Sequence, residues 1–76
     1  MILYLNLDQR RSWLDRVNEK TGRLITAYRS ALILEYPETE SRFIDDPEDV
    51  NFVDTYLYEI KFTNDEDKMR FIMEYL

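Results

Sequence analysis

Apolar residues recur along the chain with two periods, about two in short segments and about 3.6 in longer ones. Residues 2–7 alternate between two faces that are both nearly apolar, which predicts a short strand in the interior of a sheet. Residues 9–20 place Trp13, Leu14 and Val17 on one side, which is the pattern of an amphipathic helix. The first twenty residues are therefore expected to form a strand that leads directly into a helix.

The predicted helix carries a signal at each end. Asp8 precedes it and is expected to be its N-cap, because a carboxylate accepts hydrogen bonds from the free amides of the first turn. Gly22 is the only glycine in the chain and suits the left-handed residue that commonly ends a helix. A helix that runs through or breaks near Gly22 is expected.

Residues 22–36 have two interpretations. The favoured one continues the helix to about Ser30 and then forms a strand over residues 31–36, which are short, apolar and stopped by Pro37. The competing one is a single helix to Tyr36. It is favoured by a helical seam with spacings of three and four, formed by Leu14, Val17, Thr21, Leu24, Tyr28 and Ala31.

The C-terminal half repeats the order of strand and helix after an acidic segment. Residues 37–51 are expected to form an acidic loop that Phe43 and Ile44 attach to the body of the protein. Residues 52–63 are expected to form the clearest strand, with side chains alternating from Tyr56 onward. Asn64 is expected to cap a last helix, in which Glu66 and Arg70 form an i,i+4 pair. The buried stripe of this helix is predicted to be Met69, Ile72, Met73 and Leu76.

These elements predict an α+β protein, a short sheet packed on two or three helices in the rough order β-α-β-loop-β-α. The 76 residues correspond to one domain, residues 1–76. Its core is expected to contain Trp13, Leu24, Tyr28, Leu32, Tyr58, Ile60, Ile72 and Met73.

Charge is distributed unevenly along the chain. Residues 1–34 hold six basic and three acidic side chains, a net charge of +3, whereas residues 35–76 hold four basic and thirteen acidic ones, a net charge of −9. Such asymmetry bears on partners and association rates rather than on fold. The acidic half favours a partner with a basic surface.

The residue types that most catalytic sites need are missing. The chain has no histidine and no cysteine, which excludes a Ser-His-Asp triad, a thiolate nucleophile, a disulfide and a Cys/His zinc site. A single glycine excludes the phosphate-binding loops that need several. Residues 45–49 are rich in carboxylates, but Pro47 stiffens them and they lack the glycine of an EF-hand turn. We expect no enzyme activity, no metal site and no cofactor.

The favoured hypothesis is a protein-binding module, an inhibitor or modulator of its partner, that acts through its acidic surface. In one form of it, ranked below the alternative that follows, the carboxylates occupy a basic groove as phosphates would in a DNA mimic. The alternative for these acids is a set of helix-capping residues and a solvated loop. The residues expected to contact the partner are Asp45, Asp46, Glu48, Asp49, Asp54, Asp65, Glu66 and Asp67.

A second hypothesis assigns the contact to the basic half. In it the chain is a structural or regulatory subunit that forms a homodimer through the helical seam and touches nucleic acid with its N-terminal helix. The acidic residues Asp15 and Glu19 interrupt this basic face and the sequence pI is about 4.5, so direct nucleic-acid binding is the less favoured interpretation. The basic residues concerned are Arg10, Arg11, Arg16, Lys20, Arg23 and Arg29.

The segment from Tyr56 to Phe71, with the sequence YLYEIKFTNDEDKMRF, resembles the strand, cap and helix of many short accessory proteins of tailed bacteriophages. The resemblance covers about a quarter of the chain and implies an inhibitor of a host protein. The resemblance assigns no functional role to any individual residue of this chain. The first eight residues lack a basic segment and a long apolar run, so a cytoplasmic protein is expected and no contact with a membrane.

Overall fold

The computed structural model describes residues 1–45 and 56–76, and in these residues the chain forms three strands and three helices. They are β1 (Ile2–Leu5), α1 (Leu7–Thr21), α2 (Tyr28–Glu35), β2 (Glu40–Asp45), β3 (Tyr56–Lys61) and α3 (Asp65–Tyr75). The α+β class is confirmed, with the order β-α-α-β-β-α. No helix in this part of the chain is long and apolar enough to cross a membrane.

Within the described residues, the sheet is antiparallel with the strand order β1-β3-β2. β3 takes the centre because it pairs with β1 along one edge and with β2 along the other, and its residues Tyr58, Glu59 and Ile60 are all buried. β1 therefore lies at an edge, and the prediction of an interior strand is wrong.

The start of α1 is fixed by Asn6 and not by Asp8, so the predicted N-cap is wrong. The Asn6 side chain accepts from the Gln9 backbone N–H at 2.8 Å, and the Asn6 backbone N–H donates to the Gln9 side chain at 2.9 Å. This capping box satisfies two free amides at once and places Asp8 inside the first turn. The predicted end is confirmed, because Gly22 adopts a left-handed φ of 68°.

Residues 31–36 are helical up to Glu35, so the predicted strand there is wrong, as is a continuous helix from α1. After Gly22 the Asn18 side chain holds the chain by accepting from the Ile25 backbone N–H at 2.7 Å and donating to the Ile25 carbonyl at 3.0 Å. This link turns the chain before α2 begins, and it leaves Leu24 91% exposed instead of in the core.

β2 forms within the predicted acidic loop, so that prediction is wrong for Glu40–Asp45. Residues 46–51 of the predicted loop lie outside the described residues, as do residues 52–55 of the predicted strand 52–63. The Phe43 ring packs 4.9 Å from that of Tyr58, which confirms that Phe43 attaches this segment to the body.

The core is dominated by aromatic rings around Trp13. Its ring lies 5.2 Å from Phe71, 6.0 Å from Tyr28 and 6.2 Å from Tyr58. Predicted core residues that are buried are Trp13, Leu32, Tyr58 and Ile60; Tyr28 and Ile72 are half-buried; Leu24 and Met73 are exposed, so their prediction is wrong.

α3 begins as predicted and buries a different face. Asn64 accepts from the Asp67 backbone N–H at 2.8 Å, which confirms the cap. Phe71 and Tyr75 are the buried residues of this helix. Aromatic side chains bury more apolar area than methionine, so they determine which face meets the core. The predicted stripe is wrong for Met69, Met73 and Leu76, which are exposed, whereas Ile72 is half-buried.

Candidate functional site

The predicted acidic site divides between two ends of the sheet. Asp45 pairs with Tyr56 at the first end of β3, whereas α3 follows the other end, where Lys61 pairs with Glu40. A six-residue strand spans about 17 Å, so Asp45 lies far from the first turn of α3. The expected proximity of Asp45 to Asp65, Glu66 and Asp67 is not formed. Asp46, Glu48, Asp49 and Asp54 lie outside the described residues.

The acids at the start of α3 stabilise their own helix. Glu66 pairs with Arg70 at 3.7 Å, as predicted. The Asp67 carboxylate lies 3.3 Å from the Asn64 side-chain nitrogen, which donates to it. Three acids in the first turn also face the positive end of the helix dipole. Asp65 and Glu66 nevertheless remain exposed, so this turn presents negative charge to solvent.

Next to these acids, the outer face of α3 carries exposed methionines. Met69 is 55% exposed and Met73 is 81% exposed, although both side chains are apolar. They line an open groove of about 470 Å³ whose surface is largely apolar. Glu66, Arg70 and Glu74 form the charged sides of this groove. The arrangement fits an apolar ligand group with a charged periphery.

Sequence reasoning missed this groove because the helical spacing of Met69 and Met73 predicts a buried stripe. The competing signal is present in the chain, since Phe71 and Tyr75 also lie four residues apart on one helix face. A helix that carries two apolar stripes can bury either one, and the stripe left outside becomes a candidate binding surface.

Much of the basic half of the chain is engaged within the protein. The Arg10 guanidinium is buried and donates to the Tyr56 carbonyl at 2.8 Å. Arg16 donates to the Glu74 carbonyl at 3.0 Å, and the Lys20 ammonium lies 2.5 Å from the Glu74 carboxylate. The hydrogen bond to Glu74 raises the pKa of Lys20. Two residues of the predicted basic helix face, Arg16 and Lys20, thus contact the C-terminal helix.

The same region holds a buried tyrosine hydroxyl. Tyr75 donates a hydrogen bond to the Glu35 carboxylate, which also lies 3.5 Å from the Lys20 ammonium. Burial, followed by this hydrogen bond, raises the pKa of Tyr75 far above its usual range. Lys20, Glu35, Glu74 and Tyr75 therefore form a network that connects α1, α2 and α3.

A second cavity, of about 350 Å³, lies beside β2 and is lined by charged groups from α2, β2 and β3. At its side the Arg42 guanidinium lies 3.0 Å from the Glu59 carboxylate, which is itself buried. In residues 1–45 and 56–76, no three acidic side chains lie in an arrangement that could hold a metal ion.

The chain matches no protein-family model, and comparisons with curated proteins and with solved structures also return no match.

Proposed function

We propose that this protein is a non-enzymatic binding module that takes up a basic, amphipathic segment of another protein on the outer face of α3. The observation that carries the proposal is the exposure of Met69 and Met73 in an apolar groove beside the acidic first turn of the helix. Two exposed apolar side chains one helical turn apart form a small apolar patch that the apolar groups of a partner can cover.

Methionine suits such a surface because its side chain is flexible and polarisable. It adapts to aliphatic and aromatic groups of different shape, which is why methionine is common in grooves that accept amphipathic helices. The partner's apolar residues would contact Met69 and Met73, and its basic residues would face Glu66 and Asp65. The net charge of −6 also favours rapid encounter with a basic partner.

The proposal extends to inhibition of the partner by stoichiometric binding, as the resemblance to small phage accessory proteins implies. An inhibitor of this kind needs a rigid recognition surface and no reacting groups. The chain contains neither histidine nor cysteine, which agrees with this role. The acidic stretch that includes Asp45, Asp46, Glu48 and Asp49 would strengthen the complex through long-range attraction.

Peptide titration followed by NMR tests the proposal. The chain contains three methionines, and two of them, Met69 and Met73, line the groove. We expect an amphipathic helical peptide of leucine and lysine to shift the methyl signals of Met69 and Met73, while a leucine–glutamate peptide of equal length does not. Unchanged signals at both groove methionines with the basic peptide would contradict the proposal.

Two matched variants test whether the groove on α3 is the site at which the peptide binds. We expect Met73→Asp to weaken peptide binding at least about tenfold, because a buried apolar contact is lost and a charge is desolvated. Leu24→Asp makes a similar change at another exposed apolar position and should leave the affinity unchanged. Equal weakening by both variants would mean that the groove is not the site.

Charge reversal separates the two acidic regions. Asp65→Lys with Glu66→Lys should weaken the complex and reduce its dependence on salt concentration. Reversal of Asp45, Asp46, Glu48 and Asp49 should have a smaller effect of the same sign. A short DNA duplex serves as a third ligand at low salt, and tight binding to it would favour the nucleic-acid hypothesis instead.

A further inference from the structure

The two edges of the sheet in the described part of the chain differ in their protection. β2 carries the charged residues Glu40, Arg42 and Asp45, and charges along an edge strand discourage pairing with other chains. β1 has the sequence ILYL, with no charge, no proline and no glycine. An uncharged apolar edge strand is a site at which another strand is expected to add.

The hydrogen-bonding direction along β1 follows from its register with β3. The Phe62 backbone N–H donates to the Met1 carbonyl at 3.0 Å. Further along the strands, Leu3 lies opposite Ile60 and Leu5 lies opposite Tyr58. Because backbone groups alternate in direction along an antiparallel strand, Leu3 and Leu5 point theirs towards β3. The N–H and C=O groups of Ile2 and Tyr4 point away from β3, towards the edge that no strand of residues 1–45 and 56–76 covers.

We propose that β1 pairs antiparallel with β1 of a second copy of this chain, which joins the two sheets into one of six strands. The register that satisfies the geometry places Ile2 opposite Tyr4 of the second copy and Leu3 opposite Leu3. Each of the two Ile2–Tyr4 pairs then exchanges two hydrogen bonds, and every outward backbone group of Ile2 and Tyr4 has a partner.

Neighbouring registers fit less well. A shift that places Tyr4 opposite Tyr4 brings Ile2 against Asn6, whose backbone N–H already donates to Gln9 in the capping box. A shift in the other direction places Ile2 opposite Ile2 and leaves Tyr4 beyond the end of the partner strand. A shift by one residue places Ile2 opposite Leu3 of the second copy, whose backbone groups point to its own β3, so the hydrogen bonds of the pair cannot form.

The side chains on the joined strands are also complementary. Ile2 is 38% exposed and Tyr4 is 47% exposed, and both lie on the sheet face that points away from Trp13 and the helices. In the proposed register each Tyr4 ring lies beside an Ile2 side chain of the other copy. Pairs of aromatic and β-branched residues stabilise antiparallel strands. The two-fold axis repeats the contact between Tyr4 of one copy and Ile2 of the other, so the surface is self-complementary.

Analytical ultracentrifugation of the full chain tests the proposal. We expect a species of twice the chain mass of 9.3 kDa, and we expect Tyr4→Lys to weaken dimerisation at least about tenfold by placing a charge in the apolar edge. Ile44→Lys introduces the same side chain on the other edge strand and should leave the dimer intact. Circular dichroism establishes that each variant is folded.

Amide hydrogen exchange provides the second measurement. The amides of Ile2 and Tyr4 should exchange more slowly as protein concentration rises, whereas the amide of Arg42 should not change. A monomer at millimolar concentration, or a dimer that persists unchanged in folded Tyr4→Lys, would overturn the proposal.

The methionine signals distinguish this proposal from the peptide-binding function. Met1 adjoins the β1 edge, and its methyl signal should change on dimerisation while Met69 and Met73 do not. A dimer that shifts Met69 and Met73 and leaves Met1 unchanged would assign self-association to α3 and refute the β1 edge. Peptide binding at α3 with a monomeric protein would refute the edge proposal alone.

Discussion

Arg10 shows how one charged residue can belong to the core of a small protein. It is only 7% exposed, and its guanidinium carbon lies 5.5 Å from the centre of the Phe43 ring and 6.0 Å from that of Tyr28. The charge is compensated by the hydrogen bond to the Tyr56 carbonyl and by the two aromatic faces. Arg10 thus connects α1 to the first residue of β3 and to β2.

Replacement of Arg10 by methionine should lower the free energy of unfolding by about 3 kcal/mol, because a buried hydrogen bond to a charged donor and the cation–π contacts are lost. Urea unfolding followed by circular dichroism measures the change. Arg11→Met is the matched control, since Arg11 is exposed on the same helix, and it should change stability by less than about 0.5 kcal/mol. Equal effects would contradict a structural role for the Arg10 contacts.

At the scale of secondary structure, the capping residue determines where α1 begins. Asn6 and Asp8 are both good N-cap residues by type, and they are two positions apart. The choice between them depends on the residue three positions further along the chain, which is Gln9 for Asn6 and Arg11 for Asp8. Glutamine can accept a hydrogen bond from the cap backbone and arginine cannot, so the capping box favours Asn6.

Asn6→Ala should therefore cost about 1 kcal/mol of stability, and Asp8→Ala clearly less, because Asp8 contributes only through the helix dipole. Thermal unfolding of both variants beside the unchanged protein gives the comparison. If Asp8→Ala were the more destabilising, the helix would begin later than it does in this structure.

The sequence correctly predicted several features that depend on local chemistry and misassigned elements that packing decides. The cap at Asn64, the left-handed Gly22 and the alternation of β3 were predictable because each depends on local chemistry. Residues 31–36 and the buried face of α3 were not predictable. A short apolar run can form a strand or a helix, and a helix with two apolar stripes can bury either one, so packing decides between them. The same ambiguity concealed the exposed methionines.

At the scale of the whole molecule, part of the basic half of the chain pairs with the acidic half across the helices. Lys20 from α1 approaches Glu35 of α2 and Glu74 of α3, and Tyr75 completes the network. This explains why the basic residues predicted to meet nucleic acid are partly committed to the fold. It also leaves the net negative charge to dominate the surface.

This network predicts a loss of stability at alkaline pH. A tyrosine whose pKa is raised on folding stabilises the fold while it is neutral, and this contribution is lost as pH rises above the unfolded value of about 10. Tyr75→Phe should lower stability at neutral pH by about 1–2 kcal/mol and make the decline above about pH 10 shallower. Urea midpoints at a series of pH values test this expectation.

Tyr56→Phe is the control, because the Tyr56 ring is exposed and its backbone carbonyl is retained. The decline expected of the unchanged protein should persist in this variant. A Tyr75→Phe variant with an unchanged alkaline profile would mean that other groups, including the buried Tyr36 and Tyr58, account for the loss.

The position of Trp13 has a practical consequence for all of these measurements. It is the single tryptophan of the chain, it is almost fully buried, and Tyr28 and Tyr58 lie within energy-transfer distance of its ring. Its fluorescence should be blue-shifted in the folded state and shift to the red on unfolding. Because Trp13 lies in neither proposed contact surface, its fluorescence should change when the protein unfolds and stay constant when a peptide or a second copy binds.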